Sequence, residues 1–470
     1  MTLVMKFGGT SVGSAQAVQN TAELILNARE AWGSVAVVAS AMGTKPVKVT
    51  DLLLEGATTA FTGDGETYKK TAAQLRQIHY ETIDALLAPE RERQLVLAEN
   101  NLFIDRFEDI CKAILVLGEL TPRALDVVGG MGEQMSVRIL AAYLRQLGHK
   151  AEAVDATDLI VTDANFQNAA PLFDLTVPQT QARLQPLLDE GSIPVVTGFI
   201  AANEAGVTTT LGRGGSDYSA AILGQCLSAQ EVWIWTDVDG VMTADPRIAH
   251  NAKSIPVLSY REVSELAFYG AKVLHPKTMR PCVENNIPLR IKNTFNPNHP
   301  GTVIVPDNGS MNGGAKAVTA IKHLSLITVE GKGMLGIPGI AARTFGAVAK
   351  SNVSVLLISQ ASSEQSICFA TPEASAEQVI AALEVEFVEE IKRQDVDRVW
   401  AMHDVTIVTI VGAGMRGTPG ISGGLFTALG DHHVNIIAIA QGSSECSISL
   451  VIEGRETAAA VRHIHEVIVG

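Results

Sequence analysis

The sequence predicts an α/β domain on a mainly parallel sheet, followed by two smaller α+β modules. Three observations carry that reading: a β-α-β opening, strands and helices alternating to about residue 305, and a duplication in the remainder of the chain. At about 100–200 residues per domain, 470 residues allow roughly three domains. LVMKF reads as a strand, GGTSVGS as a glycine turn, the stretch to about Arg29 as a helix, and SVAVVAS as a parallel second strand. Further β-rich runs stand at KAEAVDA, SIPVVTGFIAA, EVWIWTDV and IPLRIKN, interleaved with helical segments such as SDYSAAILGQCL. From Asp51 to about Arg123 the pattern is helical throughout, which predicts a helical insertion within a domain spanning residues 1–305.

Residues 306–317, PDNGSMNGGAKA, are rich in Pro, Gly and Asn and read as a linker. Sliding the tail on itself by 81 residues aligns Thr328 with Thr409, and 18 of the 40 positions from there agree, against roughly two or three by composition. Each copy reads strand, glycine-rich turn, helix, strand, strand, helix, which divides the tail into modules at 318–398 and 399–470. The second copy stops one strand short, so residues 317–323 are expected to complete it, giving interleaved modules, each with a four-stranded sheet.

Composition excludes several functions. Lys and Arg number 36 against 50 Asp and Glu, a net charge of −14 with no basic patch, so nucleic-acid binding is not expected. No apolar run has the length of a membrane span and MTLVMKFGGTS lacks a secretory core, so we expect a cytoplasmic protein without membrane partners. Cys111, Cys226, Cys282, Cys368 and Cys446 stand singly, without the spacing of a zinc or disulfide framework, and no protein-held metal site is expected. Gly412-Ala-Gly414-Met-Arg-Gly417 has dinucleotide-loop spacing, yet 53 residues after Gly417 are too few for such a domain.

Several constellations suit phosphate and carboxylate chemistry. Lys6, Phe7, Gly8, Gly9 and Thr10 join a strand end, bare backbone N–H groups and a lysine ahead of a helix, a cradle for polyphosphate. In LGRGGSD, Arg213 offers a fork for a carboxylate, and Asp217 is placed to hold Mg²⁺ or position a nucleophile. Thr236, Asp237, Asp245 and Arg247 lie in TDVDGVMTADPR after a strand, a set suited to ribose and metal-phosphate contacts. Lys272 in YGAKVLHP is expected at a helix end within reach of phosphates, and neighbouring His275 reads as structural. Glu133 reads as the start of a helix after a glycine-rich turn, either receiving an ammonium or capping the helix. Ser40, with Thr50 beyond it, ends the second strand at the rim where α/β sheets bind ligands.

Together KFGGTS, SAMG, GGMGEQMS, LGRGGSD, TDVDGVMTADPR and YGAKVLHP resemble, in order and spacing, the aspartate kinases of the amino-acid kinase superfamily, and the duplicated tail resembles their paired ACT domains. The resemblance implies the three-layer amino-acid kinase fold with two βαββαβ ACT domains. It also implies ATP- and Mg²⁺-dependent phosphorylation of the β-carboxylate of L-aspartate, the first step towards lysine, threonine, methionine and isoleucine. By motif, Lys6, Phe7, Gly8, Gly9 and Thr10 would hold ATP phosphates, with Thr236, Asp237, Asp245, Arg247 and Lys272 completing the nucleotide site. Ser40, Thr50, Glu133 and Arg213 would bind aspartate, and Lys6, Asp217 and Lys272 would serve catalysis. Gly336, Ile337, Gln360 and Gln441 are the candidates for binding an allosteric amino acid, threonine favoured over lysine. ACT domains usually pair between subunits, which implies a homodimer or larger. The chain departs from the family at Met242, where tyrosine is frequent, and in the extra residues between SAMG and Thr50. A sensing protein with an inactive kinase domain, or a kinase for another amino acid such as glutamate, are the alternatives.

Overall fold

A computed structural model describes all residues except 44–46, 272–273, 307–313, 362–364, 416, 443–445 and 470. It contains two compact units, the first made of Met1–Val241, Pro256–Tyr260 and Leu274–Asp307. The second takes Met242–Ile255, Arg261–Val273 and Asn308–Gly470, so two stretches of the first 305 residues pack with the duplicated tail.

The first unit holds β1 (Thr2–Phe7), β2 (Ser34–Ala39), β3 (Ala151–Val154), β4 (Val161–Thr162), β5 (Ile193–Thr197) and β6 (Ile200–Asn203). It continues with β7 (Thr208–Thr210), β8 (Glu231–Thr236), β9 (Val257–Ser259), β10 (Leu289–Asn293) and β11 (Thr302–Val305). Eight of these form one sheet in the order β3-β5-β2-β1-β8-β10-β11-β9, and β4-β6-β7 form a small second sheet. From β3 to β10 every pairing is parallel; β11 runs antiparallel to β10. The chain order reverses at β1, flanked by β2 and β8, which is where open α/β sheets place ligands beyond their carboxyl ends.

The helices are α1 (Ala15–Trp32), α2 (Val49–Phe61), α3 (Thr67–Leu86), α4 (Arg91–Leu117), α5 (Pro122–Gln146), α6 (Phe173–Asp189) and α7 (Gly215–Cys226). Then come α8 (Tyr260–Phe268), which from Arg261 on belongs to the second unit, and α9 (Pro276–Glu284). Leu3, Met5 and Phe7 of β1 are fully buried in a core with Val18, Ala22 and Ile25 of α1 and with α2–α5. Period-two alternation turns Lys6 to the opposite face, where its ammonium meets Asp217 of α7.

The glycine run 129–132 departs from expectation: it is not a turn before a helix but lies inside α5, which begins at Pro122 with Thr121 as its cap. A Cβ at Gly130 would collide with Ile200 Cγ2, and one at Gly132 would stand 2.7 Å from the Ala41 Cβ. Glycine here serves close packing of helix on strand ends, so Glu133 is not a helix-capping acid.

In the second unit β12 (Ala317–Glu330), β13 (Leu357–Gln360), β14 (Ser366–Pro372), β15 (Arg398–Val411), β16 (Ala438–Gln441) and β17 (Ser447–Glu453) form one antiparallel sheet, ordered β13-β14-β12-β15-β17-β16. Its helices are α10 (Ile340–Lys350), α11 (Ala376–Glu386), α12 (Val388–Arg393), α13 (Ile421–Asp431) and α14 (Thr457–Val469). The tail thus builds one six-stranded sheet, in which the Ala317–Ile321 segment lies beside the second repeat's β15. Both long strands serve both repeats: Ala317–Ile321 pair with Val411–Ile407, and Leu326–Glu330 with Met402–Arg398. Between those halves the register shifts, with His323 and Asp404 at positive φ. None of the helices among the described residues is long and apolar enough to cross a membrane.

Candidate active site

The centre of the first unit's candidate site is the end of β1. Gly8 N–H donates to the Trp235 carbonyl at 3.3 Å, Ser40 N–H to the Phe7 carbonyl at 3.1 Å, and Gly43 N–H to the Gly9 carbonyl at 3.1 Å. These bonds hold the Gly8–Thr10 turn between the ends of β2 and β8. A Cβ on Gly9 would lie 2.9 Å from the Ala41 carbonyl oxygen, so the approach of the two loops requires glycine there. Ser14 then caps α1 by accepting from the Ala17 N–H.

Beside this turn the Lys6 ammonium stands 2.6 Å from Asp217, with side chains only 12% and 20% exposed. Asp217 lies in the first turn of α7, where the helix N-terminus favours its charge. Gly214 precedes that helix at φ 71°, a conformation that glycine adopts without a Cβ penalty. Exposed Arg213 sits in this loop, and its charge acts on His275, which accepts from the Lys277 N–H and caps α9.

Glu133 is the third charged group here. It is 4% exposed, and burial pushes its carboxyl up to about 8, against the opposing pull of the Ala41 N–H and, more weakly, the Lys6 charge. One carboxyl oxygen has no hydrogen-bond partner. A buried acid with a vacant acceptor beside a lysine suits an incoming ammonium. The Ser40 carbonyl accepts from Ser136 Oγ at 2.7 Å, tying the end of β2 to the helix that carries Glu133. Thr50 lies in the first turn of α2, and its neighbour Val49 stands against Gly132.

Thr236 ends β8, and its hydroxyl donates to Asp237, which is exposed. Asp239 is engaged by Asn293 and Asn296. Asp245 and Arg247 belong to the second unit, where they pair with each other at 2.6 Å; hydrogen bonding from Arg247 holds Asp245 below the usual carboxylate range. Lys272 lies outside the described residues. The first unit therefore brings together Lys6, Gly8, Gly9, Asp217 and Glu133.

Asp126 went unnoticed in the sequence. It is 1% exposed on α5 and accepts from Gln167 N–H, Thr210 N–H and Thr210 Oγ1, the last at 2.7 Å, fixing β7 ahead of the Arg213 loop. A lone acid 84 residues from its partner leaves no local sequence signal.

In the second unit, Gly336, Ile337 and Gln360 line one cavity of about 320 Å³ with Met334, Pro338 and Ile340. Gln360 ends β13 and Gln441 ends β16, the equivalent strand of the second repeat.

Residues 1–293 match the amino acid kinase family, and residues 327–387 and 408–468 each match an ACT domain. The chain is 37% identical over 471 residues to the maize (Zea mays) chloroplastic bifunctional aspartokinase/homoserine dehydrogenase 1, covering 99% of this chain and 50% of that one. The chain thus spans about half the length of the bifunctional relatives it matches. It is 34% identical to Arabidopsis thaliana chloroplastic aspartokinase 3, covering 99% of this chain and 81% of that one. The fold matches E. coli aspartokinase III in complex with aspartate and ADP, at TM-score 0.79, 28% identity and full coverage of both chains. The same enzyme with lysine and aspartate matches at TM-score 0.78 and 29% identity, covering 100% of this chain and 99% of that one. By these matches across nearly its whole length, the chain belongs to the aspartokinases of the amino acid kinase family.

Proposed function

We propose that the chain phosphorylates the β-carboxylate of L-aspartate with ATP and that an amino acid bound to its ACT repeats regulates the reaction. The observation that carries this reading is the Lys6–Asp217 pair, set at the sheet's switch point beside a glycine turn and a buried, ammonium-ready Glu133. Aspartate's side-chain carboxylate, with an ordinary pKa near 3.9, is already a nucleophile at neutral pH, so no general base is required. The barrier is the approach of one anion to another, and the remedy is fixed positive charge with positioned N–H groups.

In this reading Lys6 and the Gly8, Gly9 and Thr10 backbone hold the phosphates, and Lys6 moves from Asp217 towards the transferring group. Glu133 receives the substrate ammonium, Arg213 takes a carboxylate, and Ser40 and Thr50 close the pocket. Thr236, Asp237, Asp245, Arg247 and Lys272 complete the nucleotide site. Mg²⁺ would be carried on the nucleotide's phosphates, where it would neutralise charge, with Asp217 the protein group placed to meet it.

We further assign residues 1–305 to catalysis, 306–317 to a linker, and 318–398 and 399–470 to two ACT modules that pair between subunits in a cytoplasmic homodimer or larger. Gly336, Ile337, Gln360 and Gln441 bind the effector, threonine ahead of lysine. The test is hydroxylamine trapping of the acyl phosphate with stoichiometric ADP release, using aspartate and glutamate in turn, each with and without threonine or lysine. Aspartyl hydroxamate is expected; no ADP release would favour a sensing protein, and a preference for glutamate would reassign the substrate.

A further inference from the structure

The first unit carries a second polar groove, of about 580 Å³, between α1 and the loop after β10. Asn20 and Glu23 line one wall, Asn298 the other, and Trp233, Trp235 and Lys292 the floor. Lys292 pairs in register with Trp235, and its ammonium lies 5.4 Å from the Trp233 ring and 5.3 Å from the Trp235 ring. Those rings are themselves fixed: Phe7 stacks on Trp235 at 5.9 Å, and Trp32 meets Trp233 edge-on at 5.7 Å.

The neighbouring charges are already engaged. Glu231 pairs with Arg290 at 3.2 Å and accepts from Trp233 Nε1 at 2.6 Å. Among the described residues Lys292 makes neither a hydrogen bond nor an ion pair, only contacts with the two indole faces. Trp235 is 2% exposed, and its indole N–H has no acceptor. The groove floor therefore presents a charged donor without an acceptor, the Lys292 ammonium, between apolar ring faces. Phe295, 54% exposed, extends the apolar wall.

We propose that this groove binds a small carboxylate carrying an apolar body. The carboxylate accepts from Lys292, and the body lies along the indoles and Phe295. Glu23 on the α1 wall favours ligands that also carry an ammonium, so the carboxylate comes either from a simple acid or from an amino acid with an apolar side chain. Desolvation, and after it the Arg290 charge, holds the Lys292 ammonium below its ordinary value, with the Glu231 charge opposing. The site does not depend on the proposed kinase reaction, although it shares β8 with the Gly8 turn, whose N–H donates to the Trp235 carbonyl.

Trp32, Trp233 and Trp235 are three of the chain's four tryptophans, so fluorescence of the full-length protein reads the site directly. Titration with phenylacetate should give a saturable change, with uncharged phenylethanol binding about tenfold or more weakly. Lys292→Met should weaken phenylacetate by a similar factor, and Lys292→Arg should recover most of it. Phenylalanine binding above phenylacetate would assign the groove to amino acids, and the reverse order to simple acids. Absence of a saturable change, equal binding of phenylethanol, or an unaltered Lys292→Met would overturn the proposal. Should Lys292→Met fail to fold, the phenylacetate and phenylethanol comparison on the unmodified chain still decides it.

Discussion

Replacing Glu133 by Gln should change how stability depends on pH, because the folded protein holds this carboxyl near 8 while the unfolded chain returns it to 4.5. Between those values the folded state keeps a proton that the unfolded state has lost. Stability therefore falls as pH rises, by about 1.4 kcal/mol per unit, and levels off above the folded value. From pH 6 to pH 8 the loss amounts to about 2–3 kcal/mol, all of it absent in Glu133→Gln. The assay is urea unfolding followed by tryptophan fluorescence, since three of the four tryptophans lie in the first unit. Taking the difference between the two chains at each pH cancels the other titrating groups. Saturating aspartate should flatten the slope, because an ammonium beside Glu133 stabilises its charged form. A difference that stays constant from pH 6 to pH 9 would refute the buried, protonated state assigned to Glu133.

Lys6→Ala should lower kcat by about two to three orders of magnitude with little change in the KM for aspartate, as steady-state ADP release will show. Gln360→Ala should raise the effector concentration for half-maximal inhibition several-fold and leave the uninhibited rate unchanged, since Gln360 lines the cavity beside Gly336 and Ile337. Asp126→Ala should destabilise the first unit by about 2–4 kcal/mol in urea unfolding, because it leaves the buried donors of Thr210 and Gln167 without an acceptor.

Elements set by local pattern were legible in the sequence. β1, its glycine turn and α1 follow from an apolar run, paired glycines and Ser14 at the cap, and the helical insertion from sustained periodicity over α2–α4. The 129–132 glycines signal a helix boundary in sequence because glycine usually ends a helix, whereas here they make room for Ala41 and Ile200, neighbours that only the folded chain supplies. The strand missing from the second copy pointed to 317–323 lying beside it, whereas the merging of both repeats into one sheet depends on a bulge near His323 and on the pairing of β12 with β15. Motif residues Lys6 and Asp217 could be named from spacing, yet their contact joins residues 211 positions apart and needed the fold. The unpartnered donors of Trp235 and Lys292 could not be seen at all, since EVWIWTDV and IPLRIKN read simply as buried strands.

The measurement closest to the heart of this account is a crystal structure of the chain with aspartate and a non-hydrolysable ATP analogue. We expect the aspartate ammonium against Glu133, the terminal phosphate against Lys6 and the Gly8–Gly9 backbone, and the aspartate β-carboxylate facing that phosphate. Aspartate seated away from Glu133, or phosphates bound without Lys6 and the β1 turn, would contradict it.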